Sequence, residues 1–320
     1  MLQPAAAAEQ LNGSAGPPLP TGPSSANASS PLPSPSPGGG VSPWDIALCA
    51  TGAAAAGENG LVLGVLLSAP GPRAPALLLI GSLALADLLA GLGLVLNFAV
   101  RYALRPPSEA WALGAAGLLL GAFSASAGSL LAITLDRYLS LRHALTYHAE
   151  RTRPSTCALL LLLWLACAAA ALPPALGWHC LRRPAGCSVL RPVTRPHAAA
   201  LAGAVLLLYA LMLQLYARMV RVARRHAQQI AVQRRCLPPA RPRGLCAAAL
   251  VLGALALCWL PFAVYALVAD ARAPALYTYC LALPAAAHSL LNPLLYAFRH
   301  PEVQRALGSA CCAPAASSDV

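Results

Sequence analysis

The sequence has very little charge. Only 10% of its 320 residues are charged, with 10 acidic and 22 basic side chains, while 58% are hydrophobic. Soluble domains carry roughly 25% charged residues, so this composition disfavours an ordinary soluble fold. Lysine is absent, and every basic side chain is an arginine. Because alanine and proline are abundant throughout, this absence is typical of coding bias, and we infer no function from it.

Charge is also distributed unevenly along the chain. Seven tracts contain one charged residue or none: 46–72 with only Glu58, 74–100 with only Asp87, 110–135, 154–181, 196–217, 244–269 and 273–298. A helix that crosses a bilayer needs about 20 largely apolar residues, and every tract exceeds that length. We therefore predict an all-α membrane protein with a seven-transmembrane helix bundle. Several tracts are alanine-rich, so a bundle of buried soluble helices is the alternative, which the repetition of spanning lengths disfavours.

The arginines between the tracts predict the orientation. With the N-terminus outside, fifteen arginines lie in cytoplasmic segments and seven lie outside. This is the bias of the positive-inside rule, and we expect a multi-pass plasma-membrane protein with an extracellular N-terminus. The net charge of +12 then favours anionic lipid and acidic protein surfaces at the cytoplasmic face. The basic residues are not interleaved with aromatic residues, so the pattern typical of nucleic-acid binding is missing.

Composition divides the chain into three segments. Residues 1–43 are rich in proline, alanine, serine and glycine, which predicts a disordered extracellular tail. Residues 44–299 hold the spans. Residues 300–320 are expected to form a short amphipathic cytoplasmic helix, with Val303 and Leu307 on one face, and a tail. The N-terminus lacks a basic segment followed by an apolar run, so we expect the first span to direct insertion.

Several residues outside the spans are candidates for modification. Asn12 and Asn27 begin glycosylation sequences, although chance triplets in a serine-rich tail are the alternative. Cys180 and Cys187 flank "LRRPAG" in an outer loop, where an oxidising environment and a Pro-Ala-Gly turn favour a disulfide. Palmitoylation is expected after the last span, at Cys311 and Cys312.

The remaining cysteines carry no recognisable chemistry. Six lie inside or at the ends of spans and are predicted to pack: Cys49, Cys157, Cys167, Cys246, Cys258 and Cys280. Cys236 is predicted to be a thiol in a cytoplasmic loop. No spacing resembles a zinc site, and we expect no cofactor.

Polar residues inside the spans suggest a buried functional cluster. An ionisable side chain in hydrocarbon costs several kcal/mol, so Asp87 should face the interior of the bundle. Polar residues at similar depth on other spans are Asn59, Ser126, His288, Ser289 and Asn292. We expect them to surround Asp87, either as a functional site or as a network that only joins helices. Glu58 lies on a different face of its helix from Asn59, and we assign it no role.

Five motifs together resemble a known family. They are "LALADLLAG" with Asp87, "DRY" at 136–138, Trp164, "CWLP" at 258–261 and "NPLLY" at 292–296. Their order and spacing resemble rhodopsin-like G-protein-coupled receptors over about 250 residues. Four longer stretches, "GSLALADLLAGLGLVLNF", "SLLAITLDRYLSLRHALTY", "RHAQQIAVQR" and "YTYCLALPA", resemble the constitutively active orphan receptors that stimulate Gs. That group is related to sphingosine-1-phosphate, cannabinoid and melanocortin receptors.

Two absences agree with this resemblance. No cysteine lies between residues 105 and 120, so the third span cannot form the bridge to the second outer loop that most rhodopsin-like receptors have. The fifth span carries only Pro196, at its outer end, and lacks the central proline of most relatives.

The resemblance implies a cytoplasmic switch. Its residues are Asp136, Arg137, Tyr138, Tyr216, Arg241, Asn292, Pro293 and Tyr296. Asp136 is expected to hold Arg137 in the inactive state. In the active state Arg137 would swing free, helped by Tyr216 and Tyr296, and meet the α subunit of a heterotrimeric G protein, Gs by resemblance. Arrestin and receptor kinases are further implied partners. From the residues alone, an arginine at a helix end with two available partners is a candidate switch.

Arg241 gives a physical reason to expect basal activity. Many relatives place a glutamate at this inner end of the sixth span, where it clamps the arginine of the DRY motif; Arg241 would repel Arg137 instead. Loss of a partly exposed ion pair is worth about 1 kcal/mol, and about 1.4 kcal/mol shifts a two-state ratio tenfold. An active fraction of about 1% would rise towards about 10%. A bound lipid or loose packing of the sixth span would have to supply the rest.

The resemblance also implies a ligand pocket. Its expected lining is Leu119, Phe123, Trp259, Phe262 and Tyr265, with Trp259 transmitting packing changes towards Pro261, which kinks the sixth span. The lining contains no carboxylate, which disfavours amine ligands and leaves a lipid as the expected ligand class. Sphingosine-phosphate receptors have an Arg-Glu pair where this chain has Ala115 and Ala116, so that headgroup recognition is not expected. Arg182 or Arg183 could substitute.

Two further binding sites follow. Asp87 and Ser126 are candidate sodium ligands, but His288 stands where the resemblance predicts asparagine, and a protonated imidazole would compete with sodium. The last three residues, Ser318, Asp319 and Val320, match a short PDZ ligand.

Three function classes compete. A transporter predicts inverted repeats with broken helices, and an intramembrane enzyme predicts paired catalytic groups at one depth. Neither pattern is present, so we predict a receptor and no enzyme. The sequence favours an orphan receptor with high basal activity that raises cAMP through Gs and adenylate cyclase; the alternative is a lipid-activated receptor that is quiet without agonist.

Overall fold

The described part of the structure consists of α-helices and one ordered outer loop. The computed structural model describes residues 40–68, 74–104, 109–143, 152–181, 186–233, 243–269 and 272–297, without the side chains of 227, 229–233, 243–248 and 294–297. The chain divides into two compact units, 1–40 and 41–320, and the helices lie in the second. They are α1 (Pro43–Ser68), α2 (Pro75–Tyr102), α3 (Glu109–Arg142), α4 (Arg153–Ala171), α5 (Arg195–Gln233), α6 (Arg243–Val268) and α7 (Ala275–Ala297).

Proline and capping residues set several helix ends. Pro75 begins α2 in the first turn, where a missing N–H costs nothing. Thr152 caps α4, since its side chain accepts a hydrogen bond from the Ser155 amide at 3.4 Å. The tract 154–181 predicted one span, but α4 ends at Ala171. The cause is Pro173 and Pro174, which have no N–H group and cannot donate to the helical carbonyls one turn earlier; the carbonyl oxygen of Ala170 instead lies 2.8 Å from Nε2 of His197.

The helix lengths fit a bilayer. Six helices, α1 to α6, contain segments long and apolar enough to cross a membrane. The remaining helix, α7, has 23 residues and carries more polar groups, including His288 and Asn292. At 1.5 Å per residue its length is about 34 Å, enough for a hydrocarbon core of about 30 Å. α5 continues to Gln233, well beyond the apolar tract that ends at residue 217.

The core lies between α1, α2, α3, α5 and α6. Its buried apolar residues are Val62, Leu66, Ile80, Leu83, Ala84, Leu130, Met212, Leu252 and Leu255. α1 and α2 pack closest where two glycines meet. A Cβ on Gly91 would collide with the carbonyl oxygen of Gly52, and a Cβ on Gly52 would lie 2.8 Å from the carbonyl of Gly91. This contact fixes the relative height of α1 and α2, and with it that of Asn59 and Asp87.

The loop between α4 and α5 is held by a disulfide and short backbone contacts. Cys180 and Cys187 are bonded, as the sequence predicted. Isolated bridges pair His179 with Val193 and Cys187 with Thr194, folding the loop back on itself. Residues 105–120 contain no cysteine that could bond this loop to α3. A polar contact joins the loop to α3 instead: Nε2 of His179 lies 3.1 Å from Oε1 of Glu109.

Candidate functional site

The Asp87 cluster is the central polar site. Asp87 on α2 is fully buried, and its Oδ1 accepts hydrogen bonds from Ser126 of α3 at 2.8 Å and Ser289 of α7 at 2.9 Å. Its Oδ2 accepts from Nδ2 of Asn292, also on α7, at 2.6 Å. Asn59 connects α1, because its Nδ2 donates to the backbone oxygen of Ser289 at 3.0 Å. Three helices therefore meet at one carboxylate, and α1 is joined to them through the Ser289 backbone.

Hydrogen bonding stabilises the buried carboxylate. Three donors occupy most of the roughly four acceptor positions of a carboxylate, which offsets much of its desolvation cost. Each donor comes from α3 or α7, so a shift of either helix relative to α2 must break at least one charge-assisted bond. The cluster can hold the helices together or select between two packings, and the geometry is compatible with both.

His288 was expected to join the Asp87 cluster, but it makes no hydrogen bond to Asp87. The imidazole is buried, with 2% exposure, and its Nε2 has no hydrogen-bond partner within the described residues. The Oδ1 atoms of Asn59 and Asn292 are likewise buried without a protein partner there. The sequence thus predicted all six members of the cluster as buried polar residues, while the structure joins five of them by hydrogen bonds.

These residues fit sodium poorly. Sodium is a hard cation that prefers oxygen ligands, by the same logic as calcium and magnesium. Both Asp87 oxygens already accept hydrogen bonds. His288 supplies ring nitrogens where an asparagine would supply an amide oxygen. We derive no step through a sodium ion.

The expected switch residues lie at the inner ends of α3 and α7. Asp136 is 7% exposed, whereas the next residue, Arg137, is exposed. Tyr138 is buried, and its hydroxyl accepts a hydrogen bond from Nη1 of Arg142 at 2.8 Å. Tyr216 of α5 packs against the apolar core. Adjacent residues on α3 thus face different environments.

On α7 the described part of the switch is buried. Asn292 bonds to Asp87, and Pro293 follows it inside the helix. Only the backbone of Tyr296 is described, and Arg241 lies outside the described residues. Also outside are Asn12, Asn27, Arg182, Arg183, Cys311, Cys312, Ser318, Asp319 and Val320, with the expected amphipathic helix.

Three of the five expected pocket residues form one aromatic chain. The ring of Phe123 meets Trp259 edge-on with centroids 5.0 Å apart, and Trp259 meets Phe262 in the same way at 6.2 Å. Edge-to-face contacts are favourable and directional; the first joins α3 to α6, and the second lies within α6. Leu119 lies against α2, because a Cβ on Gly93 would come within 2.9 Å of its Cδ2. The hydroxyl of Tyr265 lies 2.9 Å from Oγ1 of Thr278.

A second polar cluster was missed from the sequence. At the outer ends of α1, α2 and α7, the Asp45 carboxylate accepts from Nη1 of Arg101 at 3.0 and 3.1 Å. It also accepts from the hydroxyls of Tyr102 at 2.6 Å and Tyr279 at 3.0 Å. Trp44 stacks on Tyr279 with centroids 6.1 Å apart. The sequence feature that could have predicted this cluster is the pair of opposite charges, Asp45 and Arg101, at the ends of the first two spans.

The comparisons with known proteins agree with this architecture. The family described as 7 transmembrane receptor (rhodopsin family) matches residues 58–296. G-protein coupled receptor 12 of Rattus norvegicus is 49% identical over 276 residues, covering 85% of this chain and 82% of that receptor. G-protein coupled receptor 3 of Homo sapiens is 47% identical over 302 residues, covering 93% and 88%. G-protein coupled receptor 6 of Homo sapiens is 48% identical over 276 residues, covering 85% and 76%.

These matches confirm the predicted seven-transmembrane helix bundle and the predicted resemblance. They make the chain a multi-pass plasma-membrane receptor and not an enzyme, and the family implies coupling to a G protein. The chain belongs to the rhodopsin family of seven-transmembrane receptors.

Proposed function

We propose that this orphan receptor activates Gs without added agonist and raises cAMP through adenylate cyclase. The observation that carries the proposal is the exposed side chain of Arg137 at the inner end of α3, beside the buried Asp136. A guanidinium is a multivalent hydrogen-bond donor, and its exposed position at the end of α3 lies where we expect a G-protein α subunit to approach. The resemblance to constitutively active Gs-stimulating receptors supports the choice of G protein.

Charge at the inner end of α6 supports high basal activity. Arg241 precedes α6 in the sequence, where an acidic residue would clamp Arg137. A basic residue cannot form that clamp, and the loss of a partly exposed ion pair is worth about 1 kcal/mol. This loss reduces the preference for the inactive state by about fivefold.

The test is cAMP accumulation in cells that express the full chain in lipid-stripped serum. Wild type, Arg137→Ala and Arg241→Glu are compared at matched surface level, with Gs-deficient cells as the control. We expect high cAMP for wild type, baseline cAMP for Arg137→Ala, and an active-to-inactive ratio about fivefold lower for Arg241→Glu. Baseline cAMP for wild type would refute constitutive Gs coupling.

A lipid-activated receptor is the second candidate. The aromatic chain of Phe123, Trp259 and Phe262 favours it, because these rings form an apolar surface suited to an acyl chain. In this case wild type would be quiet in stripped serum and would respond to added lysophospholipid or sphingolipid. Phe123→Ala would weaken that response while leaving surface expression unchanged.

We also propose the topology and modifications. Residues 1–43 form an extracellular tail glycosylated at Asn12 and Asn27, and 44–299 form the receptor domain. The cytoplasmic segment 300–320 is palmitoylated at Cys311 and Cys312, and its C-terminal Val320 offers a PDZ ligand. The arginine bias supports this orientation. An antibody against an N-terminal tag should stain intact cells. A glycosidase should lower the apparent mass of wild type, by less for each single Asn→Gln variant and not at all for the double variant.

A further inference from the structure

The chain leaves α4 through an apolar turn whose large side chains are exposed. Leu172 is 49% exposed, Leu176 is 75% exposed and Trp178 is 64% exposed. Neighbouring exposed side chains of this size form an apolar patch, and such patches mark a contact with a membrane or with another protein. We name residues 172–178 the outer turn.

The outer turn continues the exposed apolar face of α4. Exposed residues recur there every three or four positions, which places them on one face of a helix: Leu161, Leu165, Ala169, Leu172 and Leu176. The Leu176 amide donates to the Leu172 carbonyl at 3.2 Å with helical spacing, so the face keeps its direction beyond the end of α4. On a helix that crosses a membrane, an apolar exposed face contacts lipid.

α4 alone is slightly short for a bilayer. Its 19 residues, Arg153–Ala171, span about 28 Å, compared with about 30 Å for the hydrocarbon core. Residues 154–181 contain no acidic residue and no arginine. The outer turn therefore begins at the depth where the hydrocarbon ends and the lipid headgroups start.

The backbone of the outer turn is suited to an apolar environment. Pro173 and Pro174 have no N–H group, and the Leu172 amide donates to the Ala168 carbonyl at 3.0 Å. The amides of the next four residues, 175 to 178, donate to carbonyls within the turn at 2.9 to 3.2 Å. An N–H group without a partner is costly in lipid. Every N–H group of the outer turn has a partner, so the turn needs no water.

A contact with α3 indicates the depth of Trp178. The next residue, His179, lies 3.1 Å from the Glu109 carboxylate at the start of α3, and the Glu109 side chain is 44% exposed. An exposed carboxylate belongs among headgroups or in water. Trp111, two residues further along α3, is 55% exposed. Tryptophan is enriched at headgroup depth, because its ring is apolar and its N–H needs a polar partner. Two exposed indoles thus lie at the depth of a membrane interface.

We propose that the outer turn inserts into the outer leaflet of the membrane, with Leu172 and Leu176 among acyl chains and Trp178 among headgroups. The outer leaflet is the occupant that already surrounds the exposed face of α4, and this face continues into the turn without a break. The loop between α4 and α5 is then attached at two points, to lipid by the outer turn and to α3 by His179. The insertion does not depend on Gs coupling.

The test uses purified full-length receptor in phosphatidylcholine vesicles whose acyl chains are brominated either near the headgroup or near the bilayer centre. Bromine quenches tryptophan fluorescence on contact, whereas iodide in the buffer quenches indoles that face water. The difference between wild type and Trp178→Phe gives the signal of Trp178. Trp164→Phe provides a matched reference on the same helix, because Trp164 lies about 10 Å before the outer end of α4 and bonds to Ser82.

We expect bromines near the headgroup to remove most of the Trp178 signal and iodide to remove little of it. The Trp164 signal should respond more to bromines near the bilayer centre. Leu176→Glu places a charge in the outer turn, so it should increase the quenching of Trp178 by iodide and decrease its quenching by lipid. Leu176→Phe keeps the turn apolar and should leave both unchanged.

Two results would overturn the proposal. Quenching of Trp178 by iodide and not by brominated lipid would place the outer turn in water, as a surface for a soluble partner. Protection from both quenchers would place it against protein, and protection that disappears on dilution in lipid would assign that contact to a second copy of the receptor. Wild type and Trp178→Phe decide between these outcomes, so the decision does not require Leu176→Glu to fold.

Discussion

Replacing Gly91 by alanine should loosen the bundle at the contact between α1 and α2. The added Cβ would collide with the carbonyl oxygen of Gly52 and would lie 2.7 Å from the amide nitrogen of Ala56. Both are backbone atoms, so no side chain can rotate away, and α1 must move by roughly 1 Å to restore van der Waals separation. Overpacking of this kind costs about 1–3 kcal/mol. The same shift would stretch the 3.0 Å bond from Asn59 to the Ser289 carbonyl, worth about 0.5–1.5 kcal/mol.

The net effect is smaller because alanine is the better helix former. That gain is at most about 1 kcal/mol, which leaves Gly91→Ala destabilised by about 1–3 kcal/mol. Thermal unfolding of the detergent-purified receptor, followed by tryptophan fluorescence, measures the loss. Gly64→Ala is the control, since nothing lies within 4 Å of its Cβ. Gly128→Ala is a second control, because the added atom would meet only the flexible end of Leu163. If Gly91→Ala melts within error of both controls, the packing argument is wrong.

Three further predictions concern the polar groups. Asp45→Asn should lower the free energy of unfolding by about 1 kcal/mol, because it weakens a partly exposed ion pair with Arg101. The resulting decrease in melting temperature should be smaller at high salt, and a decrease that does not depend on salt would contradict the electrostatic account. Replacing both Cys180 and Cys187 by serine should cost about 2–3 kcal/mol, and a reducing agent should then cause no further loss, unlike in wild type. Exchanging potassium for sodium should leave the wild-type melting temperature unchanged but should raise that of His288→Asn; a sodium response in wild type would refute our exclusion of this ion.

The positions of the helices could be predicted from the sequence, but not all of their ends. Charge-free tracts predicted the spans because a charged residue in lipid is costly, so charges mark where the hydrocarbon stops. That criterion does not detect backbone effects. The tract 154–181 appeared to be one span, although Pro173 and Pro174 end the helical segment after Ala171. The criterion also misses helical segments that continue beyond the hydrocarbon. The part of α5 from residue 218 to Gln233 is such a segment.

Burial decided which site residues could be predicted. Asp87 and Asn292 were identifiable because a polar side chain inside an apolar run is costly unless it is buried and hydrogen-bonded. Both residues are buried, and they are bonded to each other. Asp45, Arg101 and Tyr279 lie at helix ends, where water is close and polar residues are expected. Their association depends on how α1, α2 and α7 meet in three dimensions, which the spacing along one chain does not specify.

The two polar clusters also indicate which part of the bundle can move. The Asp87 cluster and the Asp45 cluster both join α7 to α2, and each also includes α1, one near the middle of the bundle and one at the outer ends. Two attachments at different heights resist both sliding and tilting. The directional contacts of α6 are the hydrogen bond between Tyr265 and Thr278 in its C-terminal half and the aromatic contact of Trp259 near its centre. Its N-terminal half is held by Leu252 and Leu255, whose apolar contacts with the core are non-directional. Pro261 lies between the two directional contacts and removes a helical hydrogen bond. A movement of α6 should therefore pivot near Pro261 and displace its inner end, while α1, α2 and α7 stay fixed.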